Sequence, residues 1–478
     1  MKRITKILTS ALSVLLLTSL CVETAWAAGV SVVVDGEGAL VDIPAVYEVE
    51  TTYKNLGEYG FLNHAEDLFI DAEDNLYVVD SGNNRVLKLS PEGEVVSEYT
   101  QSFGVALKNP KGVYVHDDGT IWIADTDNYR VVRINQDGSD VEAFYKPESE
   151  LLEESFTFAP EKIYVSDTGY MYVLKGSNLM KMDSQNAFRG YVGSATVPFS
   201  LSRLLIRMFG SQSQIERTVK QEPSSYSNFM IASDGMIYGL MPNEVMGQIR
   251  RLNSVGTNSY PDEYSYGFTI QMSDNTYSTL SFSDITVMDN GVVTVADRNT
   301  GLIYQYTQDG DLLAAFGGMG DKQGVYQNLV SIVHDSEGKL YALDYTAGNV
   351  TVLKPTKFIE LIHKAVSLYN NGNYAEAKLY WEQVLEIDSN YAMAHRGYGK
   401  VLYKEGKYEE AMEQYMLGGD KDGYSDAFAE YRHDLFREYF GWVCLAVVVI
   451  LGGFWFGFKR VKKYIDAVAH RIEFGGGL

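Results

Sequence analysis

Apolar and polar positions alternate along this chain in a phrase that returns six times: "IDAEDNLYVVD", "VHDDGTIWIAD", "VSDTGYMYVLK", "IASDGMIYGLM", "VMDNGVVTVAD" and "VHDSEGKLYALD". Each is a short apolar run, a turn rich in Asp, Asn, Ser and Gly, and a second apolar run, the pattern of two strands joined by a tight turn. An anchor residue near the start of the second run marks the repeat at Tyr77, Trp122, Tyr172, Tyr238, Thr294 and Tyr341, at intervals of 45, 50, 66, 56 and 47 residues. A period of this length predicts one four-stranded propeller blade per repeat, with insertions where the interval is longest.

A second phrase follows the second strand: "DSGNNRVLKL" from Asp80, "DTDNYRVVRI" from Asp125 and, worn down, "DRNTGLIYQY" from Asp297 and "DYTAGNVTVL" from Asp344. Asp and Asn favour turns because their side chains bond nearby backbone groups and tolerate left-handed conformations. The alternation in "RVLKL" and "RVVRI" then predicts a third strand with one buried face. On Asp80, Asn83, Arg85 and Asp125, Asn128, Arg130 the chain resembles the NHL repeat family of β-propellers; the resemblance is partial in the fifth and sixth repeats and poor in the third ("LKGSNLMKM") and fourth ("LMPNEVMGQI"). It covers Ile43 to Pro355 and implies a fold rather than an activity, since propellers of this type include both binding proteins and enzymes. Six phrases predict six blades, and "AVYEVETTY" at Ala45–Tyr53 reads as the outer strand of the last blade, closing the ring.

Beyond the propeller the period changes from two to helical. Gly372, Tyr374, Ala377 and Trp381 recur as Gly406, Tyr408, Ala411 and Tyr415, each shifted by 34 residues. This is similar to two tetratricopeptide repeats, in which small residues let paired helices approach and aromatics fill the gap. Two repeats need a third packing surface, which the helix-like "SDAFAEYRHDLFREYF" can supply. The expected fold class is therefore an all-β six-bladed propeller followed by a small all-α tetratricopeptide module and one transmembrane helix.

Both ends read as membrane-targeting segments. Lys2, Arg3 and Lys6, an apolar run to Val22 and the small-x-small "AWA" at Ala25–Ala27 predict a secretory signal peptide over 1–27. A lipid-modified Cys21 is the rival reading, disfavoured by the bulky Leu20 before it. The uncharged run from Tyr439 to Phe458 is long enough to cross a bilayer, and Lys459, Arg460, Lys462 and Lys463 after it predict a cytoplasmic tail. The expected segments are a propeller over 28–355, helical repeats over 356–424, a juxtamembrane helix over 425–438, a span over 439–458 and a basic tail over 459–478. One of the two cysteines, Cys444, lies in the span, so an ectodomain without Cys21 holds no disulfide, which suits a bacterial envelope.

A formal charge of −23 excludes a nucleic-acid surface as the main partner. None of the seven histidines stands in an HExxH, a GxSxG neighbourhood or a metal-spaced cluster; His116 and His334 occupy the same turn in different blades and read as structural. Counting back from each turn, the starts of the inner strands offer Glu66, Asp67, Lys111, Glu161, Asn228 and Asp284 at one mouth of the channel, the expected ligand-binding set. No cofactor is required, though three carboxylates and an amide are the oxygen donors Ca²⁺ would use. Tyr374, Trp381, Tyr408 and Tyr415 are the expected contacts for a protein partner. The tyrosines at 260, 264, 266 and 277 raise the prospect of stacking on a carbohydrate, and the basic amphipathic stretch Leu201–Lys220 reads as a lid on the propeller. The function these features favour is binding and assembly in an envelope or transport complex. The alternative is a metal-dependent lactonase-like or lyase-like enzyme.

Overall fold

In the computed structural model, residues 29–149, 152, 155–193, 225–242, 244–268 and 279–474 are described, with side chains to residue 470. The expected signal peptide, the stretch 201–220 and Tyr277 lie outside them. The chain divides into two compact units, the first ending at Met393 and the second running from Ala394. The first unit therefore holds the first helix pair together with the strands, where the sequence placed a boundary at 355.

Six antiparallel sheets arise from the six phrases, one each. The first blade comprises Asp67–Ile70, Leu76–Asp80, Arg85–Leu89 and Val95–Tyr99, and the second and third repeat that order. The fourth has three strands among the described residues, Asn228–Ile231, Ile237–Leu240 and Ile249–Leu252. Each inner strand touches those of the blades before and after it, the sixth touching the first, so the ring is closed. Tyr47–Tyr53 pairs with Asn349–Pro355 as the outer strand of the sixth blade. The predicted closure is formed by the chain's own N-terminal segment, which leaves no open edge where the ring ends meet.

The fifth blade carries something the sequence did not announce. Val30–Val34 pairs with its outer strand Leu312–Gly317, and Leu40–Asp42 pairs with Val30–Val34, giving a six-stranded sheet. Apolar residues between neighbouring blades form the core: Leu68, Val78, Leu87 and Leu343 lie between the sixth and first, and Val79, Val86, Val113 and Ile123 between the first and second. These are the inward positions of strands whose two faces both meet another blade, which is why the strands read as near-continuous apolar runs.

The helical region comprises α1 (Lys357–Asn370), α2 (Tyr374–Ile387), α3 (Ala392–Lys404), α4 (Tyr408–Leu417) and α5 (Lys421–Phe474). Gly372 and Gly406 end the turns before α2 and α4, both at φ +78°, a conformation glycine adopts without steric penalty. Within the first unit α1 docks on the propeller: Thr356 Oγ1 donates to the Ala45 carbonyl at 2.7 Å, and Tyr391 donates to the Leu313 carbonyl at 2.6 Å. In the second unit α5 is one unbroken helix that begins at Lys421, ahead of the predicted Ser425. It is long and apolar enough to cross a membrane, and Trp442, Val448, Leu451 and Phe454 on it are exposed.

Candidate functional site

The Asp-Asn-Arg phrase builds a clasp. Asp125 is fully buried and accepts from Arg130 Nε, Asn128 Nδ2 and the Lys108 backbone N–H, all at 2.8 Å. Arg130, itself 2% exposed, also donates to the carbonyls of Ser102 and Val105, and Asn128 donates to that of Ala106. Asp80, Asn83 and Arg85 repeat the pattern, holding the Asn63 N–H and the carbonyls of Phe61 and Tyr59. Asp297 and Asp344 hold the N–H groups of Ser281 and Gln327 without an arginine. In every case the side chain ties a turn to the segment that leads into the same blade's inner strand. It is the fold's fastening, at the channel end opposite the cavity described below.

Strand pairing defines the first inward position of each blade independently of the sequence. Asp67, Gly112, Lys162, Asn228, Asp284 and Ser331 stand opposite Val79, Ala124, Leu174, Leu240, Ala296 and Leu343, ten residues before each anchor. Three of the expected residues, Asp67, Asn228 and Asp284, are in this ring. Glu66, Lys111 and Glu161 are each one residue early and half-buried; Lys111 and Glu161 form a partly exposed ion pair with each other at 3.7 Å. Since side chains alternate across a strand, one residue changes the face presented. Lys162 and Ser331 are the residues the sequence reading missed, and counting back from each anchor would have found them.

These side chains converge. Lys162 Nζ lies 3.1 Å from Asp67 Oδ1 and 3.0 Å from Asp284 Oδ1. Asn228 Nδ2 donates to Asp284 Oδ1 at 2.8 Å, and the Ser331 hydroxyl donates to Asp284 Oδ2 at 2.6 Å. The backbone N–H groups of Val113 and Ile332 supply further donors, to Asp67 and Asp284 respectively. Burial pushes Lys162 towards neutrality, but Asp284 and Asp67 more than reverse this and hold it charged. Burial pushes Asp67 up to about 6, the pull of Lys162 only partly offsetting it and Asp284 adding to the rise. Two carboxylates and one ammonium leave the cluster one negative charge in excess when fully ionised. The ammonium stands between two of the carboxylates that the sequence offered as oxygen donors. Among the described residues no group of three or more His, Cys, Asp or Glu is placed to hold a metal ion.

Towards the other end the channel widens into a cavity of about 460 Å³, with Lys162 and Asp284 in its lining. Its aromatic side is formed by Phe69, Tyr114 and Tyr164, with ring centroids 5.3 and 4.7 Å apart. Met230, Thr286 and Val333 complete that level, each two residues beyond the first inward position of its blade. Turns between inner and second strands form the rim. Tyr260 and Tyr266 are buried against Tyr238 and Tyr306 in a core cluster, their own rings tilted with centroids 5.8 Å apart, whereas Tyr264 is half exposed.

His116 and His334 both border this cavity but are not equivalent. His116 opens its turn, as its N–H bonds to the Thr120 carbonyl, whereas in the sixth blade Asp335 does so and His334 still belongs to the strand. His334 Nδ1 is 2.7 Å from Thr286 Oγ1, and His363 on α1 lies 3.0 Å from Gln305 Oε1. Burial lowers each to about 4, Asp289 and Asp74 opposing this for His334 and His334 itself adding to it for His363. Each therefore binds its proton less well folded than unfolded, so the stability it contributes is complete above pH 6.5 and is lost as pH falls towards 4. Between pH 7 and 4.5 the loss from His363 alone is expected to be on the order of 2–3 kcal/mol. Denaturant unfolding at the two pH values checks this: His363→Gln should remove about that much of the difference, and an unchanged difference would contradict it.

Of the four aromatics expected to touch a partner, two are buried and two are half-buried within the helices. Trp381 and Tyr415 are buried in the helix packing, and Tyr374 and Tyr408 are half-buried against Tyr369 and Tyr403, with centroids 5.3 and 5.5 Å apart. They fill the gaps between neighbouring helices, as large aromatics beside small residues do, and Trp381 and Tyr415 offer no surface to another chain.

With the architecture defined as a six-bladed propeller, a family model for the NHL repeat matches residues 107–134, within the second blade. No curated protein matches the chain. Among solved structures, a streptogramin B lyase is 14% identical, the alignment covering 68% of this chain and 86% of that one with a TM-score of 0.39. A virginiamycin B lyase from Staphylococcus aureus is 12% identical over 69% and 89%, with a TM-score of 0.38. A putative gluconolactonase is 11% identical over 66% and 94%, with a TM-score of 0.42. The six-bladed architecture itself stands on the strand pairing, and no residue role passes from these proteins to this one.

Proposed function

We propose that this protein is a membrane-anchored extracytoplasmic binding protein: its propeller takes a small ligand or glycan in the channel cavity, and its helices engage a protein neighbour. The observation that carries this reading is the cavity itself, of a size that suits a small molecule and walled by aromatic rings at one level of the ring. Its floor carboxylates are engaged by Lys162, Asn228 and Ser331, an arrangement that supports a fixed shape more than proton transfer. In this reading the helices over 357–417 are two tetratricopeptide repeats, 1–27 is a signal peptide, 439–458 spans the membrane, and the basic tail is cytoplasmic. The partner would meet the exposed face of the repeats, since Trp381 and Tyr415 are buried.

The test is thermal unfolding of the full chain in detergent against a panel of oligosaccharides and small neutral, anionic and cationic compounds. A true ligand at 100 times its Kd stabilises the protein by about 2.7 kcal/mol. Met230→Trp, which fills the cavity from its wall, should abolish that gain while leaving the fold intact by circular dichroism. A panel without hits, or a hit indifferent to the filled cavity, would refute cavity binding. Conversion of a hit into product would favour the lactonase-like or lyase-like enzyme instead.

A further inference from the structure

The cavity's lining is strongly unbalanced in charge. Among the described residues, seven carboxylates line it against a single lysine and no arginine. That lysine is already neutralised by Asp67 and Asp284 on the floor, so the described lining has no free lysine or arginine with which to meet an anion. Several rim carboxylates are also committed: Asp71 accepts from the N–H groups of Glu73 and Asn75, Asp74 from Ser336, and Asp335 from Glu337 and Lys339. Glu73, Asp117 and Asp289 are not; they are exposed at the mouth, and among the described residues their side chains have no hydrogen-bond or ion-pair partner. Behind them stand Phe69, Tyr114 and Tyr164, whose π faces attract a cation once it leaves water. Low-dielectric walls focus the field of such a mouth on its axis. The chain's own ammonium, Lys162, already lies at the bottom of this channel between two carboxylates, 3.1 Å from Asp67 and 3.0 Å from Asp284.

Resting on the cavity-binding reading, we infer that the ligand is an organic cation: an amine or quaternary ammonium carried on an apolar or aromatic body, its charge held between the aromatic side and the carboxylates of the mouth. A neutral sugar would leave the charge imbalance unused, and an anion would be repelled by it. The site needs no chemistry beyond desolvation of the apolar body and charge pairing at the rim.

Three fluorescent probes that share one ring system test this on the full chain in detergent: cationic dansylcadaverine, neutral dansylamide and anionic dansylglycine. Dansylcadaverine should bind at least tenfold tighter than dansylglycine, and the gap should narrow as salt rises. The triple variant Glu73→Gln, Asp117→Asn, Asp289→Asn replaces exposed turn side chains; it should weaken dansylcadaverine about tenfold and leave dansylamide unchanged. Tyr164→Ala should weaken all three probes. If dansylamide or dansylglycine binds as tightly as dansylcadaverine, and Tyr164→Ala still weakens it, the cavity binds but the cation preference is wrong. Should the triple variant hold dansylcadaverine as tightly as the wild type, the mouth carboxylates are not its partners and the inference fails. If no probe binds even at millimolar concentration, both the inference and the cavity-binding reading fall.

Discussion

Asp125→Ala is expected to destabilise the propeller by about 3–5 kcal/mol while ligand binding by the folded fraction is unchanged. The carboxylate receives three donors, and its removal leaves the Arg130 guanidinium 2% exposed with only two carbonyls at 3.3 Å to satisfy it. An uncompensated buried charge is the most expensive thing a single substitution can leave behind. The Lys108 N–H also loses its acceptor, loosening the segment that leads into the second inner strand. Asp80→Ala should be milder, because Arg85 keeps Glu98 at 2.9 Å as a second counter-ion. Thermal unfolding of the full chain measures both, with a fall in Tm of roughly 10 °C for Asp125→Ala. The clasp lies at the end of the channel away from the mouth, so a variant that keeps its Tm and loses binding would refute the structural role given to this phrase.

Lys162→Met should be comparably severe at pH 7.5, about 3–5 kcal/mol, and much of that loss should be recovered by pH 5. Without the ammonium, Asp67 and Asp284 face each other across the Ser331 hydroxyl as two buried carboxylates. Like charges so placed cannot both stay ionised, so at least one binds a proton far above its unfolded pKa. A carboxyl group that holds its proton more tightly folded than unfolded makes the native state more stable as pH falls through the raised value. Asp67 already follows that sign in the wild type, with its value near 6. Adding Asp284→Asn to Lys162→Met should restore most of the stability at neutral pH and flatten its pH dependence. A Lys162→Met protein equally unstable at pH 5 and 7.5 would show that charge on the two carboxylates is not the cause.

Much of the fold was legible because its signals are local. The six phrases, the turns after them and the closing strand at Tyr47–Tyr53 depend on period-two alternation and turn chemistry, which act over a handful of residues. The poor matches in the third and fourth repeats are equally faithful: neither blade has an aspartate at the clasp position, where Lys175 and Met241 stand. The hairpin over Val30–Asp42 was not legible, because nothing local says that its partner is Leu312–Gly317, nearly the whole propeller away.

The candidate site divides along the same line. Acidic and amide residues at the inner-strand starts were visible, but the choice between Glu66 and Asp67, Lys111 and Gly112, or Glu161 and Lys162 was not. Adjacent residues in a strand differ only in the face they occupy, and the pairing partner decides that face. Likewise Trp381 and Tyr415 looked available until their helices packed around them, and His363 showed no link to Gln305 until α1 lay on the propeller. By itself the sequence determined the blades, their order and the helical turns, since those follow from contacts between near neighbours. The tertiary structure alone decided that Asp67, Lys162, Asp284 and Ser331, spread over 265 residues, share one point, because only closure of the ring brings the first blade against the last.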